Sequence, residues 1–477
     1  MARTYRITTP AHQAPLVDAL LSAQGFTFEV EPFYPLARRL TAEPFPLGAS
    51  LAASFGLIYI QDRSSMLPPV LLAAPGSGAE GSCCLDMCSS PGGKTGILAQ
   101  SVGPSGFVLA VEPSHDRLAT LRQNLRRMNA VNTATAGMES QYLPLPPESF
   151  QRIQLDPPCS GWGTVDKNPK VLELWTPEKA ETLVRLQRAL LAKAAELLAP
   201  GGVLMFSTCT TNVRENEEQA AWALAELPLA LDPLEAPAGF TPVRPALPGL
   251  DGVLRVGEQH GGQGAASADA PGQPQGQGFF LARFIKTGTA APPDRAPVDL
   301  GGRELAPREL AEAGPLQLSA LPPGEVREFG GKAYFLHQHA LELGGNPDEP
   351  ALRWQGFCLG QTTGGRDAAL KEAATRGKAK GLGKTSGKGR AAALPSARLK
   401  LDPRLRVLLP PAVDLPSELR LDVDDTATLE ALLSGRSMDA VGAASGEGSG
   451  GLAGLYFRGL PLGWLTRKGR RLLWSDR

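Results

Sequence analysis

Between Cys83 and Cys209 short apolar runs alternate with helical patterns, which predicts an α/β fold around a mainly parallel sheet. Two further observations agree with it. Pro91-Gly92-Gly93 follows the first run and opens a helix, and later runs end on Glu112, Asp156 and Cys209. Strand ends are where open α/β sheets bind ligands.

The strands are predicted at Cys83 to Met87, Phe107 to Val111, Thr133 to Ala136, Arg152 to Leu155 and Val203 to Ser207. A long helix is predicted over Pro177 to Leu198, with Thr176 as N-cap, Pro177 in the first turn and Leu183, Leu190, Ala194 and Leu197 on one apolar face. Pro200-Gly201-Gly202 stops it. Phe279 to Phe284 reads as a closing strand, so this unit ends near Lys286. Ahead of it, residues 1 to about 60 form a small α+β segment with a helix around Ala14 to Leu21.

The chain has 477 residues, more than one average domain of ~100–200 residues, so appended modules are expected. Apolar residues make up 42% and charged residues 20%, which excludes a mainly disordered or fibrous protein. Three stretches read as linkers: Gly261 to Gly278 is rich in Gly, Gln and Ala, Gln361 to Lys400 in Gly, Ala and Lys, and Gly442 to Gly451 in Gly, Ser and Ala. Lys+Arg 48 balances Asp+Glu 48, so a nucleic-acid partner would need a local basic surface. The N-terminus lacks a signal-peptide pattern and no window approaches the ~20 apolar residues of a membrane span, so no membrane partner and a cytoplasmic location are expected. Six irregularly spaced cysteines are expected as reduced thiols. With no Cys-x-x-Cys pair and five His, no metal site is expected.

Four motifs carry chemistry. Cys88-Ser89-Ser90-Pro91-Gly92-Gly93-Lys94 follows a strand, and its glycines let the backbone approach a nucleotide closely. A P-loop is the rival, but Cys88 stands where its first glycine belongs; a structural strand-to-helix turn is the plainer alternative. Glu112 closes the second strand, 20 residues beyond Gly92, where a carboxylate accepts hydrogen bonds from both ribose hydroxyls. A solvated strand-end Glu is the other reading. Asp156-Pro157-Pro158-Cys159 ends the fourth strand and Cys209 ends the fifth, so two thiols converge on one sheet edge beside a carboxylate. Each cysteine alone would read as a small buried apolar residue; together they favour chemistry.

These motifs, with Tyr59-Ile60-Gln61-Asp62-Arg63-Ser64-Ser65-Met66-Leu67-Pro68 ahead of them and Ser207-Thr208-Cys209-Thr210 with Glu215-Asn216-Glu217 behind, resemble the Nop/Sun-type RNA (cytosine-5)-methyltransferases over roughly Phe55 to Lys286. The members most similar modify ribosomal RNA and carry a C-terminal extension. The resemblance implies a Rossmann-like core using S-adenosylmethionine, with Cys88, Ser89, Ser90, Pro91, Gly92, Gly93 and Lys94 around the methionine and ribose, Glu112 on the ribose and Asp156 near methyl donor and base. It implies that Cys209 is the nucleophile and that Cys159 assists release. Glu139 stands where the family usually has an Asp beside the adenine, and Gln151 replaces a common Asp.

The chemistry explains the residue types. Cytosine C5 is a poor nucleophile, so a thiolate must first add at C6, while Asp156, protonated at that moment, stabilises charge on the N3 side. A free thiol has a pKa of ~8.5, and Lys94 is a candidate for lowering it. The target base should be unpaired or flipped. Trp162 reads as a packed aromatic, with base stacking as the alternative. Amino-methyltransferases share Asp-Pro-Pro but follow it with an aromatic, and nitrogen methylation needs no second thiol.

The expected layout is an RNA-binding segment at 1–60, a catalytic domain at 61–286 with a flexible 258–278 loop, a linker at 287–325, and a mixed, mainly β PUA-like RNA-binding domain at 326–477 with a basic flexible insertion at 362–400. Ten basic residues against two acidic ones between Arg366 and Lys400 make that insertion a phosphate-binding candidate, with a solvated loop as the alternative. Arg467-Lys468-Gly469-Arg470-Arg471, after Leu455 to Trp464, resembles the ending of a PUA-like domain. Arg122, Arg126 and Arg127 either extend the basic face or line an ordinary solvated helix. The expected partner is ribosomal RNA or a ribosomal subunit, with a tRNA substrate or a non-catalytic assembly factor as rivals.

Overall fold

The computed structural model describes residues 3–74, 76–165, 170–257, 278–288, 301–343, 352, 354–363, 398–439 and 451–475. The chain divides into two units, Met1–Val298 with His339–Gln355, and Asp299–Gln338 with Gly356–Arg477. The 258–277 part of the expected core loop and the 364–397 part of the basic insertion lie outside the described residues.

The first unit opens with a four-stranded antiparallel sheet in the order β2-β3-β1-β4, from β1 (Thr4–Ile7), β2 (Thr27–Val30), β3 (Ala37–Ala42) and β4 (Ile58–Ile60). Helix α1 (Ala14–Ala23) packs Val17, Leu20 and Leu21 inward, and α2 (Leu51–Ser54) and α3 (Arg63–Leu72) complete the segment.

The main sheet follows. Its parallel centre is β9-β8-β5-β6-β7, from β5 (Cys83–Asp86), β6 (Phe107–Val111), β7 (Thr133–Ala136), β8 (Phe150–Leu155) and β9 (Leu198–Thr208). β6 is buried at every position, as an apolar run covered on both faces should be. Antiparallel strands extend the sheet: β13 (Gly278–Lys286) pairs β9, then come β12 (Leu254–Gly257) and β11 (Thr241–Val243), while β10 (Leu229–Leu231) also pairs β13. On the far edge Trp354–Gln355 pairs β7.

Four helices complete the wrapping. They are α4 (Gly93–Val102), α5 (His115–Met128), α7 (Pro177–Leu197) and α8 (Glu217–Glu226), with a single turn, α6 (Val171–Leu174), before α7. In α7 the expected face is buried through Leu183, Leu190, Ala194 and Leu197, and the Thr176 hydroxyl accepts from the Lys179 N–H. Arg122, on α5, donates to the Thr135 hydroxyl. Among the described residues no helix is long and apolar enough to cross a membrane.

The second unit holds two five-stranded sheets among its described residues. One is antiparallel and includes Gly324–Phe329, Lys332–His337 and Phe357–Thr363. The other joins Gly451–Phe457 to Leu460–Lys468 through a turn at Arg458-Gly459, with Arg471–Leu473 beyond. Within the span expected as a linker, Arg303–Glu304 is a strand and Pro307–Ala311 a helical turn, placing Leu305 and Leu310 in the interior.

Candidate active site

The topology places the site. From central β5 the chain steps outward to β6 and β7, then crosses back to β8 on the other side of β5. Loops leaving β5 and β8 therefore diverge and open a crevice at their carboxyl ends. Asp86, Asp156 and Cys209 end β5, follow β8 and follow β9, and Glu112 follows β6.

The loop after β5 is fixed from several sides. Gly92 takes φ +105°, a left-handed conformation that favours glycine. The Ser89 hydroxyl donates to the Asp86 carbonyl (2.6 Å) and accepts from the Val111 N–H (2.8 Å), tying the loop to the end of β6. Ser140 donates to the Met87 carbonyl (2.5 Å) and Asn124 to that of Pro91 (2.8 Å). The N-terminal segment braces the same loop: Arg6 reaches the Gly93 carbonyl at 3.4 Å, and a Cβ at Gly93 would lie 3.0 Å from both Tyr59 and Gln61. Asp86 is fully buried and accepts from the Thr95 hydroxyl (2.7 Å); burial, partly offset by that bond and by Lys94, leaves its carboxyl pushed up to about 6.

Glu112 is also buried. One carboxylate oxygen accepts from the Ser114 N–H at 2.9 Å, and the other lies 3.4 Å from Arg117, which also donates to the Ser90 carbonyl. Glu139, by contrast, is exposed and accepts from Gln141. Gln151 lies within β8 and its side-chain oxygen accepts from the Cys83 N–H, so it pins the opposite end of the sheet. Trp162 donates its indole N–H to the Trp175 carbonyl.

The two thiols meet. Cys159 Sγ lies 3.3 Å from Cys209 Sγ, and the Gly163 N–H donates to the Cys209 carbonyl at 3.1 Å. Asp156 accepts from Ser207 Oγ at 2.9 Å with one oxygen and from Lys94 Nζ at 2.5 Å with the other. Burial alone would lower the Lys94 ammonium, but Asp156 overrides it and holds the amine charged. The Cys159 S–H donating to Cys209 draws the Cys209 thiol below its ordinary value, with help from Lys94 and against burial and Asp156. The same bond, with burial, pushes Cys159 well above its ordinary value. Cys88 is raised by burial and by three surrounding carboxylates, Asp86, Asp156 and Glu112.

Sequence reasoning overlooked Ser207 as the second partner of Asp156 and Arg6 as a brace of the β5 loop. Both lie far in sequence from the residues they hold, and although Ser207 stands in the Ser207-Thr208-Cys209-Thr210 motif, nothing local pairs it with Asp156. It also gave Glu215, Asn216 and Glu217 no role, although the structure buries all three completely.

Residues 77–285 match the family described as 16S rRNA methyltransferase RsmB/F. A ribosomal RNA small subunit methyltransferase F from Cronobacter sakazakii is 32% identical over 317 residues, covering 66% of this chain and 63% of that protein. The protein of the same description from an Escherichia coli strain is 34% identical over 285 residues, covering 59% and 56%. The chain thus spans less than two thirds of the length of these curated relatives. Among solved structures, a methyltransferase homolog from Pyrococcus horikoshii is 30% identical, with a TM-score of 0.49, 60% of this chain and 87% of that one being covered.

Proposed function

We propose, from the match of residues 77–285 to the RsmB/F family of methyltransferases, that this chain forms 5-methylcytosine in ribosomal RNA of the small subunit using S-adenosylmethionine. One observation carries the reading: two thiols in contact beside a lysine-aspartate pair at the switch point of a doubly wound sheet. Methylation at a ring carbon needs one thiol to activate the ring and another group to clear the adduct.

The residues present fit the cofactor. Asp86, Glu112 and Asp156 set a negative field around Cys88, suited to a sulfonium cation, and the glycine turn gives the backbone close approach. The Cys88 to Lys94 loop would hold the methionine and ribose, Glu112 the ribose hydroxyls and Glu139 the adenine side. S-adenosylmethionine, when bound, supplies an electrophilic methyl group.

The chain's own groups do the rest. Cys209 adds as thiolate to C6 of cytosine, and N3 takes up a proton as the ring accepts the electron pair. Asp156 in the described geometry only accepts hydrogen bonds, from Lys94 and Ser207, so it must gain a proton before donating to N3. That proton comes from solvent, while the Lys94 ammonium, 2.5 Å away, stays charged and favours the Cys209 thiolate. Carbon 5 then accepts the methyl group, its proton is removed, the bond between Cys209 and C6 breaks to give back the thiolate, and N3 returns its proton to Asp156. Lys94→Met should therefore move the acidic limb of the kcat/KM profile to higher pH by about one unit, since one unit corresponds to tenfold in thiolate fraction. An unchanged limb would detach Lys94 from this role.

RNA binding is assigned to the N-terminal segment and to a PUA-like second unit, with the basic stretch within 362–400 adding phosphate contacts. Bisulfite sequencing of ribosomal and transfer RNA from a strain lacking the gene, before and after complementation, tests the substrate. A cytosine mark lost from small-subunit RNA and restored on complementation supports the reading. Loss confined to tRNA, or no loss, overturns it.

A further inference from the structure

We propose that Glu215 is a positioning residue that couples the Cys159 loop to the Cys209 loop and so sets the contact between the two thiols. The inference rests on the roles given above to those thiols. Glu215 has no exposed surface, and its carboxylate accepts four hydrogen bonds. Oε2 takes the Ser160 N–H (3.0 Å) and Gln187 Nε2 (3.0 Å); Oε1 takes the Ser160 hydroxyl (2.5 Å) and Asn212 Nδ2 (2.9 Å).

These partners lie on both sides of the thiol pair. Ser160 follows Cys159, and Gln187 on α7 also donates to the Pro158 carbonyl (3.0 Å), so the Cys159 turn is held before and after the sulfur. Because the Ser160 hydroxyl donates to Glu215, it accepts from the Thr210 hydroxyl at 2.7 Å, and Thr210 follows Cys209. The neighbours of Glu215 extend the frame. Asn216 accepts from the Thr208 hydroxyl (2.5 Å) and donates to the Thr210 carbonyl (2.9 Å), bracketing Cys209. Glu217 pairs with Arg255, which reaches the Thr211 carbonyl at 3.4 Å.

A folding role alone does not account for Glu215. Removing a carboxylate from water is costly, and its four partners are neutral donors. Four donors converging on two oxygens do, however, fix direction as well as distance. Glu215→Gln tests this because the amide has almost the same shape but turns one acceptor into a donor aimed at two donors.

The experiment compares wild type, Glu215→Gln, Ser160→Ala and Cys209→Ala by methyl transfer to small-subunit ribosomal RNA and by the pH dependence of Cys209 alkylation with iodoacetamide, read by peptide mass spectrometry. Glu215→Gln should lower kcat roughly 100-fold, the scale of a 1 Å misplacement, with KM for S-adenosylmethionine unchanged within about twofold. Its alkylation at pH 7 should slow roughly tenfold, with a midpoint about one unit higher. Ser160→Ala should move both readouts the same way by a smaller factor, and it decides the matter if Glu215→Gln does not fold. Wild-type kcat and alkylation in the folded variants overturn the inference while leaving the thiol reading intact. Methyl transfer retained by Cys209→Ala overturns the thiol reading itself.

Discussion

Cys209→Ala should reduce methyl transfer by roughly 10⁴–10⁶-fold, the scale seen when a covalent nucleophile is removed. Its binding of RNA and of S-adenosylmethionine should stay within a few-fold of wild type. The separation follows from the architecture. Cys209 sits after β9, whereas the residues assigned to the methionine and ribose of the cofactor leave β5 and β6, and those loops are tied together through Ser89 without using Cys209. The variant should also fold, because removing one sulfur from a half-buried position costs about 1 kcal/mol, and the Gly163 bond to the Cys209 carbonyl does not involve the side chain. Methyl release from tritiated cofactor, measured beside filter binding of RNA, separates the two effects. Turnover within tenfold of wild type would show that C6 is activated by some other group.

Much of this arrangement was legible in the sequence because parallel α/β units write chemistry at strand ends. An apolar run of four to six residues fixes where a strand stops, and the next polar or sulfur-bearing residue then faces the crevice. Glu112, Asp156 and Cys209 were placed in that way, and Gly92 was marked as a point of close backbone approach, to which the structure adds its left-handed turn. What stayed hidden was the order of contacts across the crevice. The 3.3 Å approach of Cys159 to Cys209 depends on β8 and β9 being neighbours in register, with Leu155 opposite Phe206. No periodicity in either segment encodes that distance. Asp156 likewise read as a proton donor from its chemistry, but its partners, one from α4 and one from β9, make it an acceptor in the described geometry. Glu139 took its adenine-side role from the resemblance alone, and the structure places it at the surface with its carboxylate accepting from Gln141.

Cys159→Ala should trap the enzyme on its substrate, giving a protein–RNA band that survives denaturing electrophoresis and contains most of the enzyme at stoichiometric RNA. Before reaction, Cys159 donates its S–H to Cys209, which raises Cys159 and lowers Cys209. This favours the nucleophile as the anion and keeps its neighbour protonated. Once the Cys209 sulfur is bonded to C6 it carries no charge, and the main restraint on Cys159 disappears; its pKa falls, it loses its own proton to solvent, and as the thiolate it can take the proton from C5. Alanine removes both functions. Addition slows, by about tenfold at pH 7 if Cys209 rises by one unit, and elimination loses its base, so the adduct outlives the methyl transfer that formed it. The trapped RNA should carry the new methyl group, which distinguishes a release defect from a failure of transfer. The Cys159→Ala, Cys209→Ala double variant should give no band, because the sulfur that forms the link is gone. Absence of a band from the single variant under turnover conditions, with methylated RNA accumulating only as slowly as the weakened addition step allows, would mean that another group removes the C5 proton and that the contact between the two sulfurs serves only to lower the pKa of Cys209; accumulation at the wild-type rate would overturn both roles of Cys159.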